Sequence, residues 1–347
     1  MLASLVHWFA HSTSSSEVPI HIPRSLAVPL VEVSRRLRIA PVLTFADTIL
    51  WNWDLASSLS SDQPLSVDNM KFTNIFSRTE DESNFYIASA QAEFIGIEAL
   101  HIMHAYSRLS TVQDDASVSQ IAEGLTRMAE VVDQISAAVH DIRHMVNPRV
   151  FYDEVRPWFV GSTAERPWIY DGVHEKDLDL DGPSSGQSAI MHSLDVFLDV
   201  NHVTPTRPTL DPLQRGASSG GFMQRMRRYM PGNQREFLER LESEHLDGSA
   251  RPVRDLARTH PNIRGPYNQA IRALTRLRDH HIRVATLYIV SMAKSAPMCP
   301  FMRGAIRQAE AVRMASAPAP VIGTGGNHVS TLLKAGRDAT RRAVLAA

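Results

Sequence analysis

The sequence predicts an all-α protein. Three observations carry that expectation. Apolar residues recur at helical spacing over several long stretches, the longest at 114–144. Turn-formers stand between those stretches: Asn147-Pro148 closes one, and Pro231-Gly232 separates two others. No stretch alternates apolar and polar residues well enough to make a convincing strand, and no internal repeat is present.

Composition narrows the class further. The chain has 347 residues, with 36 basic against 37 acidic side chains and 44% hydrophobic residues. Near-neutral charge gives no field for nucleic acid or an anionic membrane surface. The single cysteine, Cys299, excludes an intramolecular disulfide framework and a cysteine-built metal site, which suits a reducing, cytoplasmic setting. No apolar run reaches the roughly 18 residues of a membrane span. The opening MLASLVHWFAHS lacks a basic residue ahead of its apolar stretch, so it reads as a helix rather than a signal peptide.

Taken in order, residues 2–11 make a short apolar helix, a Ser/Pro-rich loop follows, and 28–38 is helical again. Residues 41–55 are apolar, open after a proline and carry Phe45, Thr48, Trp51 and Trp53. Hydrophobicity drops before Phe76 and a long helix follows, which sets a boundary between a small unit at 1–75 and a large one at 76–347. In the helix at 85–106, Phe85, Ser89, Ala92 and Gly96 share one face, where small side chains admit either a flat ligand or a neighbouring helix. The helix at 114–144 buries Ile121, Leu125, Met128, Val131, Val132, Ile135, Val139 and Ile142. VFYDEVRPWFVG sets one arginine, Arg156, among aromatics, and a buried guanidinium needs an anion, from the protein or from a substrate. After a loop over 161–186, GPSSGQSAIMHSLDVFLDV turns into a helix; two short helices flank Pro231-Gly232, and 329–345 is a terminal helix.

The organising element is the helix at 267–292, expected to start after Gly265-Pro266. Tyr267, Ile271, Leu274, His281, Val284, Ala285 and Tyr288 form its core stripe, with Leu277 at the edge. His281 interrupts that stripe, and His280 points about 100° away. A buried imidazole can ligate a haem iron, or it can bond a backbone carbonyl, which is the commoner arrangement. Three other patterns carry less. DLDLDG begins like an EF-hand loop, but Ser188 stands where the bidentate glutamate belongs. Glu98, His101 and His104 share a helical face that supplies only part of a metal shell and reads as a solvated or partner-facing surface. GTGG at 323–326 lacks the Lys-Ser/Thr of a P-loop.

The ordered series FADTILWNW, NFYIASA, HMVNPRVFYDEVRPWFVG, GPSSGQSAIMHSLDVFL, MRRYMP, LRDHHIRVATLYI and GTGGNHVSTLL resembles the indoleamine 2,3-dioxygenase family of haem enzymes from about Val18 onward. The resemblance implies an all-α fold with a large haem-binding helical domain and a smaller N-terminal helical domain, of which 1–75 would supply only the last part. It implies haem b as cofactor, O2 and L-tryptophan or a related indole as substrates, an electron donor that keeps the iron ferrous, and a monomer. His281 matches the proximal iron ligand, and Arg278 with Asp195 matches a pair that supports it. Ser184, Ser185 and Gly186 match the loop beside the haem. Ser89 matches the distal serine, Phe85 and Phe151 match the walls around the indole, and Arg156 matches the arginine that binds the amino-acid carboxylate. Thr324 belongs to the matching lid. Phe45 stands where well-known members have tyrosine, Thr48 where they have cysteine, and Ser185 where they have alanine. The implied reaction inserts both atoms of O2 across the indole C2–C3 bond, giving an N-formylkynurenine-type product. The alternatives are a haem protein of the same fold that acts on another tryptophan derivative, or a haem sensor without turnover.

Overall fold

Three long helices stand at the centre of the molecule, and their apolar stripes dictate how they meet. The computed structural model describes residues 1–13, 18–57, 66–109, 114–175, 178–202, 219–246, 251–295 and 329–346. Helix α3 (Glu80–Ser107) and helix α4 (Asp115–Met145) pack side by side, and α10 (Pro261–Ala285) lies along α4 in the most extensive helix pairing of the fold. The expected stripe of α4, from Ile121 to Ile135, is buried against Ile271, Leu274 and Leu277 of α10. Each of those side chains is at most 4% exposed, which is the burial that converts an amphipathic pattern into a packed pair.

Polar residues set the helix ends. Thr79 Oγ1 accepts the Glu82 amide of α3, and the Glu82 carboxylate takes the Phe76 and Ser77 amides and the Tyr86 hydroxyl, so a fully buried acid closes the helix start. Asp114 accepts the Ser117 amide at the start of α4. Helix α10 begins at Pro261, earlier than expected, and continues through Pro266. Proline at the first helical position costs no hydrogen bond. Pro266 falls in the second turn, and the helix absorbs it there.

Smaller elements surround this centre. Helix α1 (Leu2–Ser12) packs on α2 (Arg24–Leu37). Two small sheets correct the expectation that strands are absent: β1 (Ile20–Ile22) pairs in parallel with β4 (Trp168–Tyr170), and β2 (Trp53–Leu55) pairs antiparallel with β3 (Met70–Phe72). Each strand has three residues, too few for alternation to show in sequence. Helices α5 (Pro148–Val150), α6 (Ala189–Phe197), α7 (Ser219–Met226), α8 (Gly232–Leu246), α9 (Val253–Thr259), α11 (Met292–Lys294) and α12 (Val329–Arg341) complete the described fold, which is all-α apart from the two short pairings. No helix among the described residues is long and apolar enough to cross a membrane.

Among the described residues, three π-helical turns interrupt this regularity: Ala46–Leu50, Phe151–Val155 and Thr286–Ser291. All three face one cavity. The widened backbone of a π turn is tolerated where function or a ligand space asks for it.

Candidate active site

The cavity, of about 350 Å³, lies among α3, α4, α6, α10, α12 and the three π turns. That volume is in the range of roughly 300–1,000 Å³ common to small-molecule and cofactor sites. Its walls are mainly apolar. Phe85 of α3 meets Phe151 at a ring separation of 4.9 Å, and Phe151 meets Tyr288 edge-on at 5.7 Å. The Tyr288 hydroxyl donates to the carbonyls of Ile142 and Val146, which ties the π turn after α10 to the end of α4.

The small-residue face of α3 divides its work. Phe85, Ser89 and Ala92 open onto the cavity, whereas a side chain at Gly96 would come within 2.5 Å of Ile190 in α6. Ligand space and close helix packing, the two uses open to such a face, therefore occupy successive turns of one helix. Ser89 donates to the Phe85 carbonyl at 2.8 Å, and Thr48 donates to the Thr44 carbonyl at 3.1 Å, so both hydroxyl protons are spent on backbone.

His281 and His280 separate as their helical positions require. His281 lines the cavity, and its Nε2 lies 3.5 Å from Ser185 Oγ. His280 turns instead to α4, where Nδ1 is 2.8 Å from Ser136 Oγ and the ring is 5.0 Å from that of His140. Burial, followed by the nearby Arg278 charge, holds the pKa of His281 below its ordinary value, which keeps the imidazole neutral. Arg278, one turn earlier, also lines the cavity and forks onto Asp195 with contacts of 2.5 and 2.6 Å. It reaches the Gly336 carbonyl and the Thr340 hydroxyl of α12 as well. Burial pushes the Asp195 carboxyl up, but Arg278 and His202 outweigh it and hold the group at about 2.

Arg156 starts the 3₁₀ turn Arg156–Phe159, lines the cavity and places its guanidinium 5.3 Å from the centre of the Tyr152 ring. Burial lowers its pKa, and its planar guanidinium has the geometry to take a carboxylate in paired charge-assisted bonds. The 184–188 turn is shaped by its own side chains. Ser184 Oγ accepts the Gly186 amide, and a Cβ at Gly186 would come within 2.8 Å of the Phe222 ring. Gln187, 2% exposed, donates to the Gly182 carbonyl and accepts the Phe45 amide, which fixes Phe45 to this turn.

Of the residues singled out in the sequence, Phe45, Thr48, Phe85, Ser89, Phe151, Arg156, Ser184, Ser185, Gly186, Arg278 and His281 all line the one cavity. Asp195 stands behind it and acts through Arg278. Thr324 and the GTGG stretch lie outside the described residues, as does Cys299. The weaker patterns find ordinary partners. Asp179 and Asp181 of DLDLDG pair with Arg225 and Tyr229, and Asp177 lies outside the described residues. Glu98 pairs with Arg127 across to α4. Three polar side chains at the site were not anticipated. Gln187 is one, and His202, which lines the cavity with Nε2 2.8 Å from Asp195, is another. The third is Glu93, which lines the cavity, accepts the Ser188 hydroxyl at 2.5 Å and is pushed up to about 7 by burial. Glu93 follows Ser89 by one helical turn, and that spacing was its only signal.

The profile of the family described as Indoleamine 2,3-dioxygenase matches residues 1–343. The chain belongs to the indoleamine 2,3-dioxygenase family. Indoleamine 2,3-dioxygenase 1 of Rattus norvegicus is 28% identical over 330 residues, covering 93% of this chain and 73% of its own. Indoleamine 2,3-dioxygenase of Saccharomyces cerevisiae is 27% identical over 339 residues, covering 92% and 72%. The 6-hydroxytryptophan 2,3-dioxygenase of Fusarium equiseti is 25% identical over 331 residues, covering 91% and 74%.

The family's haem can be tested against this cavity. A haem needs a neutral imidazole with an accessible nitrogen, apolar faces and close-approaching small residues. His281 is neutral and presents Nε2 to the cavity, and among the described residues its one hydrogen-bonding contact is the long one to Ser185. Ser89, Ala92 and Ala285 leave room beside apolar walls. The donor set fits a single-histidine haem site.

Proposed function

We propose that this protein is a haem-dependent dioxygenase that opens the indole ring of L-tryptophan or a close relative. The observation that carries the reading is an imidazole, His281, sharing one aromatic-walled cavity with a half-buried arginine, Arg156. When bound, haem b would supply the iron chemistry by which both atoms of O2 are inserted across the indole C2–C3 bond.

The chain's own residues supply position, polarity and dryness. His281 would hold the iron. Arg278, locked by Asp195, keeps a fixed charge beside that ligand and so tunes it. Ser184, Ser185 and Gly186 would border the cofactor's edge. Phe85, Phe151 and Phe45 would bury the flat indole, with Thr48 beside Phe45, and Arg156 would take the amino-acid carboxylate in charge-assisted bonds. Ser89 would stand next to the oxygen with its proton already donated to the helix, so it offers a lone pair rather than a strong acid. In this reading residues 1–75 contribute a wall of the pocket rather than its chemistry, an external electron donor keeps the iron ferrous, and the protein works as a cytoplasmic monomer. The name of the Fusarium relative, a 6-hydroxytryptophan 2,3-dioxygenase, supports a substrate range that includes ring-substituted tryptophans, and Phe45 and Thr48 would be the residues to sense such a substituent.

An absorption spectrum tests the assignment. The purified protein reconstituted with haem should show a Soret band, and adding a reductant, O2 and L-tryptophan should raise the absorbance of N-formylkynurenine. His281→Ala should abolish the band and His280→Ala should keep it. Equal spectra from the two variants would refute the ligand assignment.

A further inference from the structure

Helix α1 lies outside the cavity, yet it holds two of the backbone segments that build it. His7 is fully buried, with 0% of its surface exposed. Its Nδ1 lies 2.9 Å from the Trp158 carbonyl oxygen, and its Nε2 lies 3.2 Å from the Leu43 amide nitrogen. A carbonyl can only accept and an amide can only donate. The ring is therefore neutral, with its proton on Nδ1, and both of its nitrogens are used. One turn later, His11 donates from Nε2 to the Val160 carbonyl at 2.8 Å. Burial lowers both histidines, His7 to about 3, so near-neutral pH leaves these bonds intact.

The two segments that His7 joins lead to different parts of the pocket. Trp158 belongs to the 3₁₀ turn that begins with Arg156. Leu43 stands two residues before Phe45, at the entry to the π turn that carries Thr48. Trp158 and Leu43 are far apart in sequence, and the short 3₁₀ turn has little hydrogen bonding of its own to hold it. Other ties of these segments, among them Gln187 to Phe45, Tyr170 to the Pro41 carbonyl and His11 to Val160, each reach only one side. His7 reaches both.

We propose that His7 is a positioning residue for substrate binding: from outside the cavity, its imidazole sets the spacing between the pocket wall at Phe45 and the arginine at Arg156. The inference rests on the proposed role of Arg156 as the carboxylate-binding residue. A ligand that spans the two segments feels the spacing, and a ligand that touches only the aromatic wall does not. His7 itself touches no substrate.

The test compares His7→Phe, which keeps a ring and loses both hydrogen bonds, with His7→Gln, whose amide can accept from Leu43 and donate to Trp158. Both are prepared as haem-loaded enzyme. Calorimetric Kd and steady-state KM are measured with L-tryptophan, and Kd with 3-methylindole, which lacks the carboxylate. In His7→Phe, Kd and KM for L-tryptophan should rise roughly tenfold, kcat should stay within about twofold, and Kd for 3-methylindole should change by less than about twofold. His7→Gln should recover most of the tryptophan affinity. Should His7→Phe fail to fold, His7→Asn carries the same test, because it can keep the Trp158 bond and release Leu43; the same split is expected at smaller size. Equal loss for both ligands, or a fall in kcat without a change in tryptophan affinity, would overturn the inference and leave His7 a structural residue. Wild-type enzyme that ignores L-tryptophan altogether would instead overturn the functional reading, and this inference with it.

Discussion

Glu93 offers the most direct check on the electrostatics of the cavity, because its effect is read in stability alone. The carboxyl sits on the cavity wall and accepts the Ser188 hydroxyl at 2.5 Å. Burial pushes its pKa from 4.5 to about 7, against the smaller opposing effect of that hydrogen bond. The native state therefore binds this proton more tightly than the unfolded chain does. Its stabilising contribution is fully present below about pH 4.5 and is lost as pH rises through about 7. The gap between the two pKa values corresponds to about 3 kcal/mol, of which roughly 2.5 kcal/mol falls between pH 5 and pH 8. Glu93→Gln stays neutral throughout and keeps a carbonyl oxygen for Ser188, so it removes the titration and little else. Urea unfolding of both proteins without haem, followed by circular dichroism at pH 5 and pH 8, measures the difference. The variant should gain roughly 2.5 kcal/mol over wild type between the two pH values, because every other titrating group is common to both. Stability curves that run parallel would refute the argument and would mean that water enters the cavity freely enough to solvate the carboxylate.

The other expectations test the remaining charges. Arg156→Ala should weaken L-tryptophan by about 2–4 kcal/mol in kcat/KM, and a carboxylate-free indole far less; equal losses in steady-state assays would make Arg156 structural. Asp195→Asn leaves Arg278 without its buried counter-charge, which should cost about 3–5 kcal/mol in chemical denaturation. Because the Asp195 pKa is depressed to about 2, its contribution in wild type is present above about pH 3.8 and lost as pH falls through about 2; a pH 3 to pH 7 stability difference unchanged by Asp195→Asn would show that the pair does not act as described.

Elements whose burial repeats with the helical period were legible in the sequence. Most of the α4 and α10 stripes reappear in the core, because apolar spacing decides which face is buried; Val139 is only partly buried and His281 opens onto the cavity. The division of labour between His280 and His281 followed from the same period. Elements held by distant partners were not legible. The three-residue strands exist because β1 finds β4 well over a hundred residues away. Helix α9 is seven residues long and joins α10 through Pro261, so its end did not stand apart from the next helix. Residues 286–291 read as a continuation of α10, and only packing against α4 and the cavity widens them into a π turn. Gln187 carries no signal in the sequence, because its two backbone partners, Gly182 and Phe45, are brought to it only by the fold.

The way the cavity disposes of its polar atoms explains how so many hydroxyl-bearing residues can line an apolar site. Ser89 and Thr48 donate back into their own helical turns, so neither has a proton to offer inward. Arg278 is drawn to Asp195, with His202 bonded to the same carboxylate, which takes the guanidinium charge out of the cavity and into a buried cluster. Glu93 is neutral over much of the acidic range and is engaged by Ser188. A flat apolar ligand therefore meets walls that behave as hydrocarbon, although serine, threonine and glutamate are in them, and it avoids the cost of stripping water from unsatisfied groups. Strong directional chemistry is left to an imidazole on α10 and a guanidinium on the 3₁₀ turn that α1 holds in place. With the imidazole assigned to the cofactor, the spacing between Arg156 and the aromatic wall at Phe45 is the dimension a substrate has to match. That spacing depends on the contacts of His7 to Trp158 and Leu43, which lie wholly outside the pocket.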